Sequence, residues 1–169
     1  MPKPNSEHLL DRAKALIRPR GRRPPRQTDL RGAKSDAYYA TFHAFLSAAA
    51  DIAVGKRRRG TGHYRLAYRS IDHRAIRELC QTVRLPTPSL KYRPHIPADG
   101  FGQGIRDVAK SILTLQMKRN LADYDPGYDV DGQEAESAVR MARKALADWD
   151  AAPATERESF LHLLLFPPR

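Results

Sequence analysis

The sequence predicts an all-α protein, an up-and-down bundle of about five to six helices. Through most of the chain, apolar residues recur every three or four positions, which is the period of one buried helix face. Prolines and glycines collect between these runs, so the predicted helices are separated by loops. No convincing strand can be read from the pattern.

The first two predicted helices are separated by a basic linker. Ser6 predicts the N-cap of a short first helix. The segment 18–26 contains five arginines and three prolines, so we expect an extended, solvated linker there. Thr28 or Asp29 predicts the N-cap of a long second helix, and Gly55 predicts its C-terminal end.

The remaining helices follow from apolar periodicity and capping patterns. We expect a third helix from about His63 to Val83, followed by a long loop that reaches Gly104. A fourth helix is predicted over about 104–124. Asp131–Glu134 and Thr155–Glu158 have the spacing of a capping box, and they predict the starts of the fifth and sixth helices.

The C-terminal helix is apolar on most of its sides between Phe160 and Phe166. Because a monomer is expected to bury only one side of such a helix, the pattern predicts a docking groove or a partner subunit, and we expect a homodimer. The predicted organisation is an N-terminal helix and basic linker over 1–27, a helical bundle over 28–150, and a packing or oligomerisation helix over 151–169.

The charge of the chain favours a polyanionic partner. A net charge of +11 and a pI near 10.1 favour nucleic acid first and an anionic membrane surface second. The alternative is a solubility surface with a basic tail. Cys80 is the only cysteine, which excludes an internal disulfide and favours a reducing compartment. No run approaches the ~20 apolar residues of a membrane span, and the N-terminus lacks a signal-peptide pattern, so a cytoplasmic protein without a membrane partner is expected.

Arg119 occupies a position in the fourth helix that the apolar period reserves for a buried residue. Its guanidinium keeps its charge when buried, so it needs a carboxylate, and Asp123 follows one helical turn later. One interpretation is a structural Arg–Asp pair at the end of a helix. The other is an arginine that Asp123 orients toward a phosphate.

Basic residues recur every four positions on the predicted third helix and form a stripe beside its buried face. A glycine-rich, arginine-rich loop precedes this helix. The residues predicted to contact nucleic acid are Arg58, His63, Arg65, Arg69 and Arg77. The alternative for the whole set is a solvated basic face.

Two histidines are candidates for a general base. His43 lies two turns after Asp36, a neighbouring acid that could orient its imidazole, and one turn after Tyr39. His73 lies in the basic stripe. The alternative for His43 is a hydrogen-bonded packing residue. His63 ranks below both because a glycine-rich loop positions a side chain less firmly than a helix does.

Neither a metal nor a cofactor is expected. The six histidines do not pair with acids or with Cys80 at metal-ligand spacing. No glycine-rich phosphate loop follows a predicted strand.

Two segments, Ser35–His43 and Arg119–Asp125, resemble the small HEPN domains of bacteria and archaea. The similarity covers roughly residues 29–147. It implies RNA as the target, a dimer, and a toxin–antitoxin or defence setting with a nucleotidyltransferase as a partner. Active members of that superfamily are metal-independent ribonucleases, in which a motif arginine contacts phosphate and a following histidine assists attack by the ribose 2′-hydroxyl.

Arg119 matches the motif arginine, whereas no histidine follows it at the motif spacing and Asp123, Tyr124 and Asp125 stand there instead. The first hypothesis is an RNA-directed HEPN-like protein with metal-independent ribonuclease activity. Its predicted catalytic residues are Arg119, Asp123, Tyr124, His43 and His73. The alternative is a non-catalytic helical partner subunit or protein-interaction module, which the absent histidine and the apolar C-terminal helix favour.

Overall fold

In the computed structural model, which describes residues 5–19 and 21–168, the protein is an all-α helical bundle, as predicted. The described residues contain no β-strand. Their seven α-helices are α1 (Ser6–Ile17), α2 (Gln27–Val54), α3 (Gly62–Arg69), α4 (His73–Val83), α5 (Gln103–Tyr124), α6 (Gly132–Ala151) and α7 (Ala154–Leu165). Short 3₁₀ helices at Lys56–Arg58 and Arg93–His95 precede α3 and α5. None of these helices is both long and apolar enough to span a bilayer.

The chain divides into two units, and the boundaries fall within α2, α5 and α6. The first unit comprises the described residues of Met1–His43 and Ser111–Leu146. In this unit α1 buries Leu10 and Ala13. Its Arg12 forms a two-pronged ion pair with Asp36 of α2, and the guanidinium Nε lies 2.6 Å from one carboxylate oxygen. Asp36 is buried, so this pair fixes where α1 meets α2.

The second unit comprises the described residues of Ala44–Lys110 and Ala147–Arg169. Its core contains a cluster of four aromatic side chains, namely Phe45, Phe101, Trp149 and Phe160. The ring centroids of Phe45 and Trp149 lie 4.6 Å apart, and those of Trp149 and Phe160 lie 5.4 Å apart, both in edge-to-face or near edge-to-face arrangements. This cluster brings α2, α6 and α7 together within the unit.

The predicted third helix is two helices. α3 ends at Arg69, and Asp72 adopts an extended conformation (φ −105°, ψ 175°) before α4 begins at His73. The Asp72 carboxylate caps α4 by accepting a hydrogen bond of 2.7 Å from the Ala75 amide. The expectation of one continuous basic stripe was therefore wrong, because two of its members lie on α3 and two on α4.

The capping predictions had mixed outcomes. Asp131 does cap α6, since it accepts a hydrogen bond of 2.7 Å from the Glu134 amide. The N-cap of α1 is Asn5, not Ser6. α7 begins after Pro153 without a side-chain cap, so the predicted role of Thr155 was wrong. Residues 1–4 of the predicted N-terminal segment and Arg20 of the predicted linker lie outside the described residues.

The C-terminal helix does not leave a large apolar surface uncovered. Within one chain, α7 buries Phe160, Leu161, Leu163 and Leu164. The premise that a monomer could cover only one side of this helix was wrong, because α7 packs against α4 and also contributes to the aromatic cluster. Its apolar pattern therefore gives no support to a partner subunit.

The aromatic cluster predicts a large difference between two phenylalanines at the end of the chain. Phe160 is 0% exposed and Phe166 is 70% exposed. Phe160→Ala should lower the free energy of unfolding by about 3–5 kcal/mol, because it leaves a cavity among three rings. Phe166→Ala should change it by no more than about 0.5 kcal/mol. Urea denaturation of both variants measures this, and equal losses would contradict the proposed core.

Candidate functional site

The segments Ser35–His43 of α2 and Arg119–Asp125 at the end of α5 lie side by side in the first unit. Ser35 Oγ of α2 donates a hydrogen bond to the Asp123 carboxylate of α5. One turn along each helix, Nη2 of Arg119 donates to the Tyr39 hydroxyl over 2.5 Å. Because 35 pairs with 123 and 39 pairs with 119, the two helices run antiparallel here. We call Ser35, Tyr39, Arg119 and Asp123 the polar seam.

The Arg119 side chain is enclosed on several sides by other residues of the polar seam and by neighbours on α5. Its Nε lies 2.7 Å from a carboxylate oxygen of Asp123, and its side chain is 13% exposed. The Nε–H does not point at that oxygen, so the contact is an ion pair without an aligned hydrogen bond. Nη1 donates to Asn120 over 3.1 Å. The rings of Tyr39 and Tyr124 each lie with their centroids 5.2 Å from the guanidinium carbon. The predicted Arg119–Asp123 pair is therefore present.

These contacts give Arg119 a fixed orientation and a fixed charge. Desolvation alone would lower the pKa of the guanidinium, but the combined attraction of the carboxylate and the two phenol oxygens raises it. A guanidinium has five N–H donors. Asn120 and Tyr39 each take one donor from a different Nη atom, which leaves one N–H on each for an incoming acceptor such as a phosphate oxygen.

His43 extends the line of Ser35 and Tyr39 by one more turn of α2. Its imidazole stacks on the Tyr39 ring, with centroids 5.9 Å apart and an angle of 22° between the planes. The antiparallel register brings His43 to the level of Leu115 and Gln116 on α5. Asp36, which the sequence suggested as an orienting acid, is instead bound to Arg12 of α1. That expectation was wrong, because Arg12 occupies the Asp36 carboxylate and two helical turns, about 10 Å along the helix axis, separate Asp36 from His43.

The loop after α5 is bound by two side chains from the start of α2. The Gln27 side-chain amide exchanges two hydrogen bonds with the backbone of Val130, over 2.8 and 2.9 Å. Arg31 donates to the carbonyl oxygens of Ala122 (3.1 Å) and Tyr128. These contacts fix the turn that carries Asp123 and Tyr124 relative to α2. The sequence did not predict these contacts. The signal that could have indicated them is the one-turn spacing of Gln27 and Arg31 at the start of α2.

Lys34 is a third side chain near the start of α2 that binds the loop after α5, and it is fully buried. Its Nζ donates to the Tyr128 hydroxyl over 2.6 Å and to Glu134 over 3.1 Å, and it lies 4.5 Å from the Tyr128 ring centroid. The Tyr128 hydroxyl also donates to Glu134 over 2.9 Å. These hydrogen bonds, first from Tyr128 and then from Lys34, lower the pKa of the Glu134 carboxyl.

All five residues that the sequence predicts to contact nucleic acid lie in the second unit. Tyr64 and Arg59 both bind Asp51 near the end of α2, over 3.0 Å for the tyrosine hydroxyl and 2.8 Å for the arginine Nε. Burial, followed by the Asp51 carboxylate, raises the pKa of Tyr64 to about 12. This cluster anchors the loop that precedes α3. Arg58 and His63 are exposed in and after that loop.

The face of α3 that is turned to solvent holds Arg65, Leu66 and Arg69, and Leu66 is 71% exposed. Arg65 and Arg69 line a shallow depression with His63. His73 and Arg77 lie on α4, as its first residue and on its exposed face. The described contacts of the polar seam do not include His73. Asp123 and Tyr124 thus contact Arg119 directly, and His43 is linked to it through Tyr39. The other histidine candidates, His63 and His73, lie in the second unit.

No protein-family model matches the chain, and no curated protein and no solved structure matches it significantly. Within the described residues, no group of three or more His, Cys, Asp or Glu side chains could hold a metal ion. Cys80 is buried, and desolvation raises the pKa of its thiol.

The bound Glu134 carboxylate predicts a pH dependence of stability. A carboxyl whose pKa is lowered by folding stabilises the fold above its unfolded pKa, and this contribution disappears as the pH falls through the folded value. The stability lost in Glu134→Gln should therefore be greatest near neutral pH and should shrink below the ordinary glutamate pKa of 4.5. Urea titrations of both proteins at several pH values measure this difference. A difference that grows on acidification would contradict the assignment.

Proposed function

We propose that this chain is an RNA-directed protein that binds the phosphate backbone through an exposed basic segment, residues 56–93. The supporting observation is the imbalance of charge in this segment, which contains eleven Lys or Arg residues and two Asp or Glu residues. A surface of one sign attracts a polyanion and releases its counterions on binding. The choice of RNA rests on the resemblance of the polar-seam segments to HEPN domains.

The exposed arginines of the segment are available to phosphates. Two of the segment's arginines are engaged with acids, Arg59 with Asp51 and Arg74 with Glu78. Seven further arginines of the segment are exposed and form no ion pair with a described residue: Arg57, Arg58, Arg65, Arg69, Arg77, Arg84 and Arg93. Phosphate contacts by such side chains position a nucleic acid without selecting its sequence.

For the polar seam we propose metal-independent cleavage of RNA. The ribose 2′-oxygen would attack the adjacent phosphorus, the 5′-oxygen of the next nucleotide would leave, and a cyclic phosphate would remain. Arg119 would donate its two remaining N–H groups to the phosphoryl oxygens as negative charge develops. His43, stacked on Tyr39, would accept the 2′-proton, and a water molecule would protonate the leaving 5′-oxygen. A homodimer and a nucleotidyltransferase partner belong to the same proposal and rest on the resemblance alone.

The second candidate is a non-catalytic partner subunit. It is favoured by the observation that Nε, Nη1 and Nη2 of Arg119 are each engaged within the chain, as in a structural arginine. The experiment on cleavage below separates the two candidates.

RNA binding should weaken steeply with salt and depend on the face of α3. Between about 50 and 200 mM salt, log affinity should fall linearly with log salt concentration. Replacing Arg65 and Arg69 together with Ala should weaken binding and reduce the slope by about one for each phosphate that these arginines neutralise. Arg140→Ala, which removes an exposed arginine paired with Glu136 on α6, is the matched control and should leave both values unchanged.

Filter binding on a single-stranded RNA of mixed sequence measures both quantities. Binding that is undetectable at low salt, or that is equally affected by the α3 double variant and by the control, would contradict the proposal.

Cleavage should persist in EDTA and should require the forked geometry of Arg119. Arg119→Lys keeps a positive charge beside Asp123 but removes the planar fork, so the cleavage rate should fall by roughly 100-fold. Arg143→Lys makes the same change at an exposed arginine that binds Glu7 and Asp11, and it should not affect the rate. Circular dichroism of both variants checks that they are folded.

Two results would count against ribonuclease chemistry at the seam. The first is an Arg119→Lys protein that cleaves at the unchanged rate. The second is an unmodified protein that binds RNA without cleaving it, which would favour the partner-subunit candidate.

A further inference from the structure

α3 and α4 have the dimensions of a helix-turn-helix unit. α3 has 8 residues, α4 has 11, and three residues, 70–72, connect them. The extended conformation of Asp72 means that the two helix axes cannot be collinear. In DNA-binding units of this kind, the first helix crosses the phosphate backbone and the second enters the major groove.

One face of α4 is fixed to the core of the second unit. Ile76, Leu79, Cys80 and Val83 are buried, and α4 packs against α7. The opposite face is thereby presented to solvent by a helix whose start is capped by Asp72. Side chains on a helix that is held in this way keep a defined spacing, which base reading requires.

The exposed face of α4 carries side chains that suit base edges. Arg74, Arg77, Glu78 and Gln81 recur at the spacing of one helix face, and all four are exposed. Arginine can donate two hydrogen bonds to guanine, glutamine can pair with adenine, and glutamate can accept from cytosine. Arg74 and Glu78 form an ion pair of 2.6 Å, but their side chains are 75% and 52% exposed, so little is lost when the pair opens.

We propose that α4 reads the major groove of duplex DNA, while Arg65 and Arg69 of α3 contact the flanking phosphates. This inference goes beyond the proposed RNA function because it assigns a second nucleic acid and a separate helix face. Duplex DNA is favoured over duplex RNA on geometric grounds. The major groove of B-form DNA admits an α-helix, whereas the deep and narrow major groove of A-form RNA does not.

Selection from a randomised DNA duplex library with the full-length protein tests the proposal. An enriched sequence should emerge. Against that sequence, Arg77→Ala should bind roughly tenfold more weakly, and Gln81→Ala should relax the preference at one base pair. Arg140→Ala is again the matched control and should leave both affinity and preference unchanged. Both test positions are exposed, and thermal unfolding confirms that each variant is folded.

The same variants separate this inference from RNA binding. Gln81→Ala, which removes no charge, should retain its affinity for single-stranded RNA, while the Arg65 and Arg69 double variant should lose affinity for both ligands. No enriched DNA sequence, or an enriched sequence to which Arg77→Ala and Gln81→Ala bind as the parent does, would overturn groove reading by α4 and leave RNA binding standing. An unmodified protein that binds the selected DNA but not RNA would contradict the proposed RNA binding and leave groove reading by α4 standing.

Discussion

A charge that cannot be neutralised lies between α2 and α5, and much of the first unit is arranged around it. Arg119 keeps its guanidinium charged under all ordinary conditions, and leaving such a cation buried and unpaired would cost several kcal/mol. Asp123 compensates the charge from the same helix and Tyr39 from the facing one. Because Tyr39 and Ser35 come from the facing helix, the complete set of contacts to Arg119 and Asp123 exists in only one antiparallel register. The seam thus determines how the two helices align, whatever chemistry it performs.

The same logic explains why the start of α2 is polar at positions that face the bundle. Lys34 is buried against Tyr128 and Glu134, and Asp36 is buried against Arg12. Such pairs add little net stability, because desolvation offsets most of their attraction. A shifted register would leave each charge without its partner, and that penalty is larger than the attraction itself. Apolar residues alone, many of them alanines in α2, would discriminate poorly between neighbouring registers.

Features that depend on residues close together in the sequence could be predicted, whereas contacts between distant residues could not. The all-α class and the bounds of α5 follow from apolar period, and the Arg119–Asp123 pair follows from one-turn spacing. The break between α3 and α4 was missed because Ser70, Ile71 and Asp72 include neither glycine nor proline. The acids that pair with Arg12 and Lys34 lie 24 and 100 positions away in the sequence, so no local pattern identifies them. The burial of α7 within one chain could not be predicted either, because the apolar pattern of one helix does not show how many other helices pack against it.

The distribution of compensated charge distinguishes the two units. In the first, several cations have an acid from another helix, as Arg12, Lys34 and Arg143 do. In the second, the basic segment 56–93 retains exposed arginines that no acid in the described residues compensates. Because each of these charges is solvated, its own free-energy cost is small, but together the charges repel one another and oppose folding. An added polyanion would remove that repulsion, so binding and stabilisation of the second unit would occur together. Self-repulsion of this kind does not stabilise the fold, and it is the observation from which we propose a nucleic-acid partner.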